Sequence, residues 1–248
     1  MSHWFDTHIH LPAPEWQQSA DELYRQAQSM GIEALLMPGV RAGDWPRLLE
    51  LASRFPGVYA APGIHPAYAE QWDVEVARQL TMLTKESSVV AIGEIGLDGV
   101  AGPSADKQEL VFRAQLQIAI DTGLPVLLHC RKATGRVLDL LRELEVGEKV
   151  GGVWHGFSGS VEVAQELVAL GFLIGVGPIL LRESARKLPQ AVLELAPEAL
   201  VLETDAPDMI KGPEKLISVA EKLAQLRGWT LDKTRDITNE NARKMLKL

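Results

Sequence analysis

Eight short apolar runs alternate with longer amphipathic ones from one end of this 248-residue chain to the other. The apolar runs cover residues 4–10, 33–40, 58–66, 89–98, 125–130, 151–157, 172–178 and 200–207. Most are rich in Val, Ile, Leu or aromatic residues and lack strict polar alternation, the pattern of parallel strands buried on both faces. Helical periodicity fills the gaps. The first helix is announced by a capping box, Ser19 with Glu22 three residues later, and stops before Gly31. Gly123 and Gly171 stand where two further helices should end in a left-handed cap. A ninth helical stretch, 231–246, follows the last repeat and is expected to pack across the outside.

Alternating strand and helix dictates a parallel sheet, either an open doubly wound sheet or a closed barrel. Eight strands favour the (β/α)8 barrel, with an extra C-terminal helix, and 248 residues suit one such domain spanning 1–248. The sequence contains no linker, charge block or low-complexity segment that would mark a second domain.

Six histidines are present, and five of them, His8, His10, His65, His129 and His155, fall at or near the C-terminal ends of candidate strands. Strand ends make up roughly a tenth of a barrel chain, so chance would place about one histidine there. In a barrel those ends converge on one mouth, where active sites are built. Two carboxylates, Glu94 and Asp205, also sit inside apolar runs. A lone carboxylate there would carry a large desolvation cost, which a bound cation removes. Asp6, His8 and His10 are spaced by two, so on a strand all three face one side. His8 and His10 are then expected to grip one ion, with Asp6 orienting a ring from behind.

Six candidate ligands (His8, His10, Glu94, His129, His155 and Asp205) are too many for one tetrahedral ion with an open position. They suit two divalent ions about 3.5–4 Å apart, which lower the pKa of water to around 7. Mixed imidazole and carboxylate ligands accept Zn, Mn, Mg, Fe or Co without choosing among them.

The ordered motifs resemble those of the TatD family of metal-dependent deoxyribonucleases, within the amidohydrolase-like barrels. The likeness runs through Asp6-Thr7-His8-Ile9-His10, Gly63-Ile64-His65-Pro66, residues 92–98, residues 125–131, His155-Gly156-Phe157-Ser158-Gly159, residues 203–207 and Asn239-Glu240-Asn241-Ala242. It implies that His8, His10 and Glu94 bind one metal and that Glu94, His129 and His155 bind the second. Glu94 would bridge, and Asp205 would hold a metal and take the proton of the attacking water. It also implies hydrolysis of phosphodiesters in DNA. Two loops depart from the family pattern. After Asp98 the chain reads Gly99-Val100-Ala101-Gly102-Pro103 in place of aromatic residues, and the loop after Pro207 is short. These departures keep open a second expectation, an amidase or lactonase acting on a small cyclic substrate with the same metals.

Among the remaining polar residues, His65 and Arg131 are expected to bind substrate, and Glu203 to stand behind the ligands or join them. Gly175 and Gly177 either leave room for substrate or reflect tight packing. A net charge of −8 provides no general attraction to nucleic acid or anionic membrane, although a metal site supplies its own positive charge. One cysteine, Cys130, excludes an internal disulfide framework. No secretory leader or membrane span is recognisable, so the expected location is the cytoplasm. The expected partner is DNA or a small phosphoester, with no obligate protein partner.

Overall fold

A computed structural model of the chain describes residues 3–11 and 13–248. The strands are β1 (Trp4–Asp6), β2 (Ile32–Pro38), β3 (Val58–Ala61), β4 (Ile92–Asp98), β5 (Val126–Arg131), β6 (Gly152–Trp154), β7 (Phe172–Val176) and β8 (Leu200–Leu202). The helices are α1 (Ala20–Ser29), α2 (Trp45–Arg54), α3 (Val74–Leu83), α4 (Ala105–Thr122), α5 (Thr134–Glu143), α6 (Val146–Lys149), α7 (Val161–Ala169), α8 (Lys187–Glu194), α9 (Lys215–Arg227) and α10 (Leu231–Leu246). Regular parallel ladders join β1 through β3 and β4 through β8.

Single parallel bridges connect the two sheets, Ala60 to Val89 on one side and Ile9 to Ala206 on the other. The second seam is tightened by Thr7 N donating to Leu202 O at 3.0 Å and Asp205 N donating to His8 O at 2.8 Å. The result is a closed (β/α)8 barrel. Several strands are shorter than the apolar runs that encode them, because the chain leaves the regular ladder before reaching the mouth. His8, His10, His65, His155 and Asp205 therefore stand just past their strands rather than within them.

Glycine permits a close approach at this end of the barrel. A Cβ on Gly63 would lie 2.7 Å from the Gly93 carbonyl carbon, and one on Gly93 would lie 2.5 Å from Leu127 Cβ. Gly39 N instead donates to both Ala61 O and Gly93 O at 2.8 Å, while Glu94 N donates back to Gly39 O at 2.8 Å. This web fixes the backbone that carries Glu94.

The expected helix signals are present. Ser19 and Glu22 form the reciprocal capping box of α1, and Gly123 ends α4 in the left-handed region. The short helix α6 is an addition that periodicity did not reveal. No helix among the described residues is long and apolar enough to cross a membrane.

Helix α10 corrects one expectation. It does not merely cross the outside: Ala242 and Leu246 join the buried cluster inside the barrel, with Phe5, Leu36, Leu127, Val153 and Val201. Asn239 and Asn241 fasten it to the strand starts. Asn239 Oδ1 accepts from Phe5 N at 3.0 Å, and Asn241 Nδ2 donates to Leu200 O at 2.8 Å. The amphipathic pattern gave a buried face without saying what covers it; the covering surface is the barrel's open bottom. Truncating this plug with Leu246→Ala is expected to lower unfolding free energy by about 2–5 kcal/mol, the usual range for a buried Leu→Ala change. Urea denaturation followed by circular dichroism measures it.

Candidate metal centre

The closed mouth brings together side chains separated by almost 200 positions. Glu94, at the middle of β4, is 3% exposed and divides its two carboxylate oxygens between two groups of rings. Oε2 lies 3.4 Å from His8 Nε2 and 3.8 Å from His10 Nε2. Oε1 lies 2.7 Å from both His129 Nδ1 and His155 Nε2. Asp205 approaches the first group, with Oδ1 3.4 Å from His10 Nε2 and 3.6 Å from His8 Nε2.

The spacing of the ring nitrogens within each group is that of a cation cage. A tetrahedral ion with bonds of 2.0–2.1 Å has ligand atoms about 3.3–3.4 Å apart. His8 Nε2 and His10 Nε2 are 3.2 Å apart, and His129 Nδ1 and His155 Nε2 are 3.3 Å apart. The combinations His8–His10–Glu94 and His8–His155–Asp205 each gather three possible ligand atoms within coordinating reach. The donor set therefore fits divalent cations.

Charge leads to the same conclusion. Burial alone would raise the Glu94 pKa, but His155, His65 and hydrogen bonds from His129 and His155 hold it well below the usual carboxylate range. Burial likewise opposes charge on His155, yet the Glu94 carboxylate pushes its pKa up to about 10. Without a metal, the buried carboxylate draws a proton onto the nearest ring; a cation meets the same demand.

His65 is close enough to coordinate, with Nε2 3.7 Å from Glu94 Oε1. Its other nitrogen, Nδ1, accepts the backbone N–H of Ala67 at 3.1 Å. An atom accepting a hydrogen bond carries no proton, so the neutral ring bears its proton on Nε2. Burial keeps the ring neutral by lowering its pKa to about 4. His65 thus presents an N–H donor to the cavity rather than a ligand lone pair.

One expectation needs correction, and the alternatives left open for Gly175 and Gly177 are decided in favour of tight packing. Asp6 does not orient a ring. Its Oδ1 accepts from His8 N at 3.1 Å and Thr204 N at 3.0 Å, and its Oδ2 accepts from Thr204 Oγ1 at 2.6 Å. Because β1 ends at Asp6, the alternation that would line it up with His8 and His10 breaks there, and Asp6 serves as a clasp across the β1–β8 seam. Arg131, expected to bind substrate, stands exposed at the C-terminal end of β5, outside the residues that line the cavity. Gly175 and Gly177 leave room for Glu203, not for substrate: a Cβ on Gly175 would lie 2.3 Å from Glu203 Oε2.

Glu203 itself is fully buried, and its Oε1 accepts from Gly156 N at 2.6 Å just beyond His155. Burial pushes its pKa up to about 8. Sequence reasoning missed Asp98, whose Oδ2 lies 3.4 Å from His129 Nε2 while its Oδ1 holds Val100 N and Ala101 N. Its position four residues after Glu94, at the end of the same run, was the available signal. Asp208, Arg41 and Tyr68 were also missed; all three line a cavity of about 410 Å³ above Glu94.

A family model described as "TatD related DNase" matches residues 5–247. The chain belongs to the TatD family. It is 33% identical to the uncharacterized metal-dependent hydrolase YabD of Bacillus subtilis, over 98% of this chain and 99% of the relative. It is 34% identical to a Klebsiella pneumoniae protein named 3'-5' ssDNA/RNA exonuclease TatD, over 83% of this chain and 79% of that one. The crystal structure of YjjV, a TatD homologue from Escherichia coli, superposes with a TM-score of 0.91 at 30% identity, covering 100% of this chain and 99% of that one. As a TatD-family member the chain is a metal-dependent hydrolase.

The glycine slot around Glu203 gives a direct test. Gly175→Ala is expected to destabilise the protein by about 1–3 kcal/mol, the range for overpacking a buried site. In a double-mutant cycle by thermal denaturation, Glu203→Ala should remove most of the added penalty.

Proposed function

We propose that the chain is a two-metal phosphodiesterase that hydrolyses nucleic acid, single-stranded DNA in particular. One observation carries the reading: the two oxygens of Glu94 address two separate pairs of imidazoles, His8 with His10 and His129 with His155. A carboxylate so placed is what a bridged pair of divalent ions requires. The relatives support the substrate class. Besides the Klebsiella protein, one from Pantoea sp. with the same exonuclease name is 36% identical over 82% of this chain. The expectation of a cyclic amide or lactone has weaker support, since a structure derived from a promiscuous lactonase is 15% identical and shares the fold alone.

When bound, such cations polarise phosphoryl oxygens and make hydroxide available near neutral pH. His8, His10, Glu94, His129, His155 and Asp205 would hold them. The remaining steps fall to the chain's own groups. Asp205 faces the cavity with its pKa lowered: burial acts against this, but the hydrogen bond from His10 and the surrounding rings prevail. It is therefore ionised and able to take the proton of an attacking water. His65 Nε2–H donates to a non-bridging phosphate oxygen. Asp98 fixes the ring plane of His129 through Nε2, leaving Nδ1 aimed at Glu94.

Purified protein supplied with Mn or Mg should degrade a single-stranded oligonucleotide, and Asp205→Asn should slow it by about 10²–10⁴-fold, the range for losing a general base. Intact DNA with every divalent metal tried would rule out the substrate class, and turnover of a lactone panel instead would favour the cyclic-substrate reading. Elemental analysis should find two metals per chain, and fewer than one in Glu94→Gln. Asp98→Asn is expected to weaken metal binding about 10–100-fold by isothermal titration, the usual cost of losing a ligand's supporting carboxylate.

A further inference from the structure

One flank of the cavity has a chemistry that metal binding does not use. Arg41 follows β2, and Tyr68 sits in the 3₁₀ turn Pro66–Gln71 directly after β3 and His65. Both line the cavity that contains Glu94 and Asp205. The Arg41 guanidinium lies over the Tyr68 ring, 5.5 Å from its centroid. Asp44 holds it through two bonds, Nε to Oδ2 at 2.9 Å and Nη2 to Oδ1 at 3.2 Å. Among the described residues, Arg41 Nη1 and the Tyr68 hydroxyl have no hydrogen-bond partner.

The pair is fixed to the centre. Tyr68 N donates to His65 O at 2.8 Å, and His65 N donates to Val40 O, next to Arg41, at 3.0 Å. The Tyr68 and His65 rings meet edge to face with centroids 6.4 Å apart. Stability does not account for this arrangement. The Arg41–Asp44 pair is well exposed on each side, with side-chain exposures of 42% and 38%, and such ion pairs contribute little to stability. Tyr68 keeps 37% of its surface exposed, so it is not a core residue.

Electrostatics point the same way. The cavity wall is otherwise acidic, with Glu15, Asp44, Asp208, Glu94 and Asp205; Arg41 and Arg47 are its only arginine or lysine residues among the described ones. Besides the cations the centre would hold, a polyanion entering this cavity meets side-chain cations only on this flank among the described residues, where Arg47 is paired with Glu50 and Arg41, held by Asp44 through Nε and Nη2, keeps Nη1 unpaired.

We propose that Arg41 and Tyr68 form a nucleotide subsite beside the scissile phosphate, the exposed Tyr68 ring stacking on a base and the free edge of Arg41 bonding the adjoining phosphate. This rests on the nucleic-acid reading of the metal centre. Guanidinium and phenol suit such a ligand, since a planar fork matches phosphate oxygens and an aromatic face accepts any unpaired base. Paired bases hide their faces in the stack, so the subsite selects single strands.

The test compares a short single-stranded DNA with bis(p-nitrophenyl) phosphate, a diester with no nucleobase. For Tyr68→Ala, the ratio of kcat/KM on DNA to kcat/KM on the small diester should fall about tenfold, within the range measured for losing one base stack. Tyr68→Phe should restore the ratio, because it keeps the ring face. Arg41→Ala should lower the ratio and raise KM for DNA. An abasic position next to the cleaved bond should cost the native enzyme the same factor while costing Tyr68→Ala nothing more. Unchanged ratios, or equal losses on both substrates, would overturn the subsite while leaving the nuclease reading intact. A native enzyme that turns over the small diester but neither binds nor cuts DNA would overturn the nuclease reading, and the subsite with it.

Discussion

A carboxylate buried at the mouth of an apolar barrel must be neutralised, and Glu94 organises the upper end of this molecule around that requirement. Removing an ionised acid from water costs several kcal/mol even after a protein relaxes around it. Here the compensation comes from imidazoles delivered by β1, β5 and β6, each reaching the same carboxylate from a different side. Rings from distant strands meet at one acid only if the barrel closes, and the β1–β8 seam does this with few bonds. Asp6 is central to that seam, accepting from both His8 N and Thr204 N.

The two ends of the barrel solve opposite problems. At the bottom, apolar side chains from the strands need a cover, which α10 supplies through Ala242 and Leu246. At the top, the backbone must leave the ladder and still satisfy its polar groups. Close contacts among Gly39, Gly63 and Gly93 allow the backbone there to pair with itself where side chains would hold it apart. A hydrogen-bonded floor then carries the polar groups, and ligation and proton transfer depend on holding them in place.

Function is distributed accordingly. The floor holds the candidate metal ligands, while the rim loops carry Arg41, Asp44, Tyr68 and Asp208, which have no part in closing the barrel. Loops on a rigid scaffold are where substrate choice resides. The proposed nucleotide subsite lies on the flank of the cavity made by the β2 and β3 loops.

Much was legible in the linear chain. Buried parallel strands need near-continuous apolar runs, so counting those runs gave the barrel, and polar residues interrupting them at one end exposed His8, His10, Glu94, His129, His155 and Asp205. Local signals sufficed for the capping box at Ser19 and the left-handed stop at Gly123. What sequence could not supply was direction and partnership. Two-residue spacing placed Asp6 on the face of His8, but β1 ends at Asp6 and the acid turned to clasp Thr204. Arg131 is close to His129 in sequence and stands exposed at its strand end, while Arg41, ninety positions away from it, lines the cavity. Glycines at 175 and 177 signalled space without naming Glu203 as its occupant. Periodicity is a property of one segment and can be read along it; which atoms face each other across the mouth depends on the angles at which eight segments close, and those exist only in the folded chain.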